Sequence, residues 1–200
     1  IKILLGYEVD YFEGDYFLDS LSNSNIDYLI GSIHFIPEND SKYSLFNSKF
    51  WGFDNPEFIN QYKTKDIDKI WEDYFKAVKM MVKSGKFDIV GHFDLIKVFA
   101  FFPKKDIRLL VEDTLKEIQK SNMVLEINPA GLRKPVKEQY PSKTILQLAF
   151  ELNIPITFGS DAHKLEDIGF KYDEVISIAK NIGYTKCITF ESRDKKIIEF

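Results

Sequence analysis

All three histidines of this 200-residue sequence end or closely follow runs of apolar residues, and carboxylates accompany them. His34 ends Tyr28-Leu-Ile-Gly-Ser-Ile-His34, His92 ends Phe87-Asp-Ile-Val-Gly-His92, and His163 follows Ile156-Thr-Phe-Gly-Ser-Asp-Ala-His163. Glu8 ends Ile3-Leu-Leu-Gly-Tyr-Glu8, Asp161 stands two residues before His163, and Glu126 and Asn128 close Val124-Leu-Glu-Ile-Asn128. A lone histidine in such a place is commonly a hydrogen-bonded structural imidazole. Three out of three, with acidic partners, argue for a shared site. Imidazoles mixed with carboxylates suit Zn, Mn or Fe, whereas a calcium cage would be all oxygen. The chemistry that follows is metal-assisted hydrolysis, in which ions lower the pKa of a water and clamp the oxygens of an in-line displacement. Competing mechanisms lack parts: the sequence has no Gly-Lys-Ser/Thr phosphate loop, no Gly-x-Ser-x-Gly elbow and no Gly-x-Gly-x-x-Gly after a strand.

Two further groups draw notice. Glu126-Ile-Asn-Pro-Ala-Gly-Leu-Arg-Lys134 leaves a strand end with adjacent cations. The planar fork of Arg133 matches a phosphate bidentately, so it is either the grip on an anionic substrate or a surface arginine; Lys134 reads as a solvated cation. Asp94, two residues after His92, is either an acceptor for a ligand imidazole or a helix cap.

Residues this far apart in sequence meet only if a scaffold brings them together. Periodicity predicts strands at Lys2–Glu8, Tyr28–His34, Phe87–His92, Val124–Asn128, Ile154–Gly159 and Cys187–Phe190. Amphipathic helices are expected over Asp66–Ser84, stopped by Gly85, over Asp106–Ser121, over Ser142–Leu152 with Ser142 as N-cap, and over Tyr172–Asn181, ending at Gly183. Strands separated by helices imply right-handed crossovers and a parallel sheet, doubly wound or closed as a barrel. In such folds ligands bind at the carboxyl ends of the strands, where five consecutive strands place Glu8, His34, His92, Glu126 with Asn128, and Asp161 with His163. The segment 37–62 has no sustained period; its Phe46, Phe50, Trp51 and Phe53 are expected to line or cover the substrate entrance, or to pack on the fold.

Composition sets the outer limits. At 23.4 kDa the chain is expected to form a single domain, residues 1–200. Its longest apolar stretch, Val98–Phe102, is 5 residues, against roughly 20 for a membrane-spanning helix. With 27 Lys+Arg against 31 Asp+Glu and no basic block, a phosphate-backbone nucleic-acid binder is disfavoured. The single Cys187 reads as a small apolar strand residue and, with no secretory leader at the start, fits a reducing cytoplasm.

Seven segments together resemble the histidinol-phosphatases of the PHP (polymerase and histidinol phosphatase) superfamily. They are Gly6-Tyr-Glu-Val-Asp-Tyr-Phe12, Gly31-Ser-Ile-His-Phe35, Phe53-Asp-Asn-Pro-Glu-Phe58, Gly91-His-Phe-Asp-Leu-Ile-Lys97, Glu126 through Lys134, Tyr140-Pro-Ser142 and Gly159-Ser-Asp-Ala-His163. The resemblance implies an α/β fold of a particular kind, a distorted (β/α)7-type PHP barrel whose cleft holds divalent metal ions. It implies Glu8, His34, His92, Asp161 and His163 as metal ligands. Arg133, Asp161 and His163 become the catalytic residues, with Arg133 and Asn128 contacting substrate. The implied reaction is hydrolysis of L-histidinol phosphate to L-histidinol and phosphate, late in histidine biosynthesis. The family's opening His-x-His segment and about two βα units are not matched, so the barrel is expected to be incomplete, with an apolar edge strand near Lys2–Tyr7 open to self-association. Five ligands from four strands would hold up to about two ions of Zn, Mn or Fe, given four to six donors per ion. Two alternatives stay open: another phosphoesterase of the superfamily, or a non-catalytic fragment that binds metal and phosphate.

Overall fold

The computed structural model describes residues 2–13, 21, 25–38 and 49–200. Its centre is a five-stranded parallel sheet in the order β1 (Gly6–Asp10), β2 (Tyr28–Ser32), β5 (Ile89–Val90), β6 (Val124–Ile127), β7 (Ile156–Phe158). The α/β class and the parallel sheet are as the sequence predicts. Strands β2, β5, β6 and β7 end before their apolar runs do, so His34, His92, Asn128, Asp161 and His163 sit on turns over the carboxyl edge, whereas Glu8 and Glu126 stay on β1 and β6.

The helices follow their signals closely. Helix α1 (Ile67–Lys83) is capped by Asp66, whose side chain accepts from the Asp68 N–H at 3.0 Å, and it buries Ile70, Trp71, Tyr74, Val78 and Met81 on one stripe. Helices α2 (Ile107–Lys120), α3 (Lys143–Glu151) and α4 (Tyr172–Ile182) complete the set, with Ser142 capping α3 through the Ile145 N–H at 3.4 Å. Helices α1 and α2 bury Trp71, Phe75, Val111 and Leu115 in the main core together with Leu29, Phe93 and Leu125.

Two regions depart from the sequence reading. The described residues of segment 37–62, 37–38 and 49–62, carry regular structure. Strand β3 (Phe35–Pro37) pairs antiparallel with β4 (Phe50–Gly52), and a 3-10 helix covers Pro56–Thr64, started by Asn55. Trp51 and Phe53 are buried in the core, stacked edge-on against Tyr62 at 4.7 Å and Tyr74 at 5.3 Å. These two rings pack on the fold; Phe46 lies outside the described residues.

The last predicted strand also goes elsewhere. Strand β8 (Lys186–Glu191) forms a hairpin with β9 (Asp194–Glu199) instead of extending the parallel sheet. Only Ser192 and Arg193 intervene, at φ 49° and 68°, and a two-residue turn with both φ positive matches the twist of a hairpin. Arg193 anchors that turn under the sheet, its guanidinium on Asp88 at 3.0 and 3.1 Å. No helix among the described residues is long and apolar enough to cross a membrane.

Candidate metal centre

The parallel register assembles the site. Pairing of Glu8 with Ile30 and Asp10 with Ser32 sets β1 beside β2. Glu8 and Asp10, two apart on a strand, therefore share one face. Glu8 Oε1 accepts from Ser32 Oγ at 2.7 Å and lies 2.8 Å from His92 Nε2 and 3.9 Å from His34 Nε2. Asp10 takes the other side of His34, its Oδ1 2.6 Å from Nδ1, which fixes the ring and leaves Nε2 toward Glu8. The His34 and His92 rings are 4.9 Å apart.

His92 is held from behind. Its side chain is 3% exposed, and its backbone N–H donates to Glu126 Oε2 at 2.8 Å. Asn128 steadies that carboxylate from Nδ2 at 3.1 Å while its Oδ1 caps the Pro129–Arg133 turn through the Ala130 N–H at 2.8 Å. Close approach makes glycine necessary at 159, where a Cβ would stand 1.9 Å from Glu126 Oε1.

The electrostatics are those of a close pair in which His92 is buried and Glu8 partly exposed. Burial alone would raise Glu8, but the hydrogen bonds and positive charge of His92, with help from Ser32 and His34, hold it at about 2. Burial opposes a charge on His92, yet Glu8, Glu126 and Asp161 raise it to about 9. Glu126 itself is pushed up by burial, an effect that His92 offsets.

A cavity of about 210 Å³ opens over this corner, lined by Glu8, His34, His92, Asp54, Tyr140 and Lys134, with Asp161 and His163 on its wall. The structure thus brings three of the five predicted ligands together: donor atoms of Glu8, His34 and His92 all lie within 4.8 Å of one another. One carboxylate and two imidazoles facing one another are a donor set that fits a first-row divalent ion. Asp161 and His163 line the same cavity without joining that group. Asp161 adopts a left-handed φ of 47°. His163, 81% exposed, turns its Nδ1 back to within 3.1 Å of the Asp161 carbonyl.

Arg133 braces that loop. Its Nη2 donates to the carbonyls of Ser160 at 3.1 Å and Asp161 at 3.0 Å, its Nε lies 3.5 Å from Asp167, and the guanidinium sits over Phe170. Its Nη1 is buried with no partner among the described residues. Asn128 is fully buried, and both ends of its amide are taken by Glu126 and Ala130. Asp94 departs from both expectations: it neither reaches a histidine nor caps its own turn, but bonds Lys97 Nζ at 2.9 Å and the Ser142 N–H at 2.9 Å. Lys134 borders the cavity.

Sequence reasoning passed over Asp10, Asp54, Ser32 and Tyr140. The two-residue spacing of Glu8 and Asp10 was a usable signal. Asp54 and Tyr140 carried no periodic signal, because they arrive from irregular segments; only their place in the family-like segments Phe53–Phe58 and Tyr140–Ser142 marked them.

A profile of the PHP domain matches residues 1–130, and a PHP-associated profile matches residues 143–180. The chain belongs to the PHP domain family. Among its PHP relatives is a Deinococcus radiodurans protein named "Probable histidinol-phosphatase", 33% identical over 96% of this chain and 69% of the relative. The histidinol-phosphatase of Bacillus subtilis is 32% identical over 86% of this chain and 68% of its own length. A Listeria monocytogenes crystal structure, provisionally assigned as a histidinol phosphatase, superposes with a TM-score of 0.70 at 29% identity, covering 84% of this chain and 66% of that one. The Lactococcus lactis histidinol phosphate phosphatase, solved with zinc, L-histidinol and phosphate, superposes with a TM-score of 0.66 at 20% identity over 98% of this chain and 72% of that one. This chain therefore spans about two thirds of the length of its PHP relatives.

Proposed function

We propose that the protein is a metal-dependent phosphoric monoester hydrolase that converts L-histidinol phosphate to L-histidinol and phosphate, a step of histidine biosynthesis in the cytoplasm. The observation that carries this reading is the Glu8, His34 and His92 cluster at the carboxyl edge of a PHP sheet. The names of its relatives supply the substrate. Zn, Mn or Fe, up to about two ions on a donor count, would polarise a phosphoryl oxygen and acidify a water when bound.

Glu8, His34 and His92 hold that charge, with Asp161 and His163 closing on it from the opposite wall. Asp10 and Ser32 keep the first three in place. Arg133, whose Nε and Nη2 hold the Asp161 loop and whose Nη1 has no partner among the described residues, is the residue assigned to the phosphoryl oxygens, and Lys134 adds a second cation at the cavity border. Asp54, a carboxylate raised by burial and opposed by the charge of the two histidines, faces the amine and imidazole of the substrate. Asn128 serves the substrate indirectly, through Glu126 and the turn that carries Arg133. Segment 37–62 contributes the Asp54 wall.

The five-stranded sheet is part of a distorted barrel on this reading. Among the described residues β1 is the edge strand, and its outer edge, with Tyr7 and the preceding Leu5 exposed, is on this reading the surface for pairing with a second copy. Turnover of L-histidinol phosphate, compared with phosphate release from oligonucleotide 3′ ends, tests the function. Selective hydrolysis of the former is expected, and preference for the latter would replace this reading with a nuclease-type one.

A further inference from the structure

Lys97 is 1% exposed, and a lysine inside a protein is almost never left without partners. Its three donors have three acceptors: Asp94 Oδ2 at 2.9 Å, Glu138 Oε2 at 2.7 Å and the Gln139 carbonyl at 2.8 Å. Asp94 Oδ2 also accepts from the Ser142 N–H at 2.9 Å. The four partners fall into two groups. Asp94 follows His92 by two residues on the turn after β5, whereas Glu138, Gln139 and Ser142 flank Tyr140, which lines the cleft beside Lys134. Tyr140 stands with its ring 5.4 Å from the Lys97 ammonium and 6.3 Å from the His92 ring.

Stability alone gives little reason for such a network, because packed apolar residues in place of a buried ion pair are often neutral or stabilising. What it does set is position. The strap 134–142 is fastened to β6 by the paired backbone bonds of Asn128 and Tyr140, at 2.6 and 2.8 Å, and by the Val136 N–H to the Val98 carbonyl at 3.1 Å. The Val136 bond reaches only the far end of the turn that bears His92, at Val98. Lys97, together with the Ser142 N–H on Asp94, ties the strap to the middle of that turn.

We propose that Lys97 is a positioning residue: with Asp94 and Glu138 it ties the substrate-facing strap 134–142 to the metal-bearing turn after β5, and so sets the width of the cleft that receives the phosphate ester. This rests on the function proposed above. The ammonium touches neither substrate nor metal ligand, so its effect belongs in substrate affinity rather than in metal content.

The test uses Glu138→Gln, which keeps the shape of a half-exposed side chain and removes its charge, together with Lys97→Met. Both variants are loaded with zinc and assayed on L-histidinol phosphate, and inorganic phosphate binding is measured by titration. Expected are wild-type zinc content, a KM and a phosphate Kd raised about tenfold, the scale on which outer supporting contacts act, and a kcat within about threefold of wild type. For Glu138→Gln the melting temperature should barely move. Should Lys97→Met fail to fold, Glu138→Gln decides alone. Wild-type KM and phosphate Kd in a folded Glu138→Gln protein, or a change confined to kcat or to melting temperature, would overturn the proposal. If the unaltered protein fails to turn over L-histidinol phosphate, the proposed function falls, and the phosphate Kd of the variants still reads the clamp.

Discussion

Carboxylates sit at both ends of the central sheet, and the two ends treat them oppositely. At the amino end Asp88 accepts from the Leu29 N–H at 2.8 Å and from two nitrogens of Arg193, while Asp27 accepts from the N–H groups of Leu5 at 2.8 Å and Ser192 at 2.9 Å. All four carboxylate oxygens have donors, and the backbone bonds from Ser192 and Leu5 hold Asp27 below its usual range. At the carboxyl end the donors crowd onto one oxygen of Glu8, and buried polar atoms of His92 and Tyr140, which line the cavity, and of Arg133 and Asp94, outside its lining, lack partners among the described residues. Saturated polar groups hold a fold together; buried groups left unsaturated around a cavity await a ligand. The same residue types serve stability or chemistry according to whether the fold itself completes their bonds.

The sharpest way to break this contrast is to remove a group from the unsaturated end. His92→Ala or Glu8→Gln should lower kcat/KM about 1000-fold or more, since a catalytic metal contributes several kcal/mol, while thermal unfolding shifts little. Phosphate release and a melting curve on the same samples check both halves. At the saturated end, Arg193→Ala should leave kcat and KM unaltered and cost about 2 kcal/mol of stability, the order expected when a partly buried carboxylate loses a charged partner. Loss of turnover in a folded Arg193→Ala protein would erase the distinction.

A third and smaller effect is in pH. His92 without metal is protonated up to about 9, so an ion must displace its proton at neutral pH. Glu8, held at about 2, is already ionised and adds no dependence above that. Zinc affinity should therefore rise about tenfold per pH unit toward pH 9 and level off above it. Isothermal titration in buffers of different ionisation enthalpy would detect the released proton; affinity flat between pH 6 and 9 would contradict the His92–Glu8 pairing.

Much of this was legible in the sequence, for reasons that also mark its limits. Periodic segments such as 67–83 and capped starts such as Asp66 and Ser142 bury one face and stop locally, so pattern suffices. The strand ends carrying Glu8, His34 and His92 were legible because parallel topology sends them to one edge. The turn at Ser192 and Arg193 was not, since neither residue announces a positive φ and the anchor, Asp88, is remote in sequence. Asp54 and Tyr140 reach the cleft through tertiary packing of irregular chain, and Asp94 turned to Lys97 because burying that ammonium demanded an acceptor.

The central claim is that the ion belongs to the β1, β2 and β5 corner, with the β7 loop as its second wall. Zinc content after loading and dialysis at pH 7 measures this directly in the unaltered protein, His92→Ala and His163→Ala. The account predicts about one to two zinc ions per chain in the first, on the donor count, none retained by His92→Ala, and at least one by His163→Ala. Zinc kept by His92→Ala and lost from His163→Ala would place the centre on the β7 loop and contradict the account.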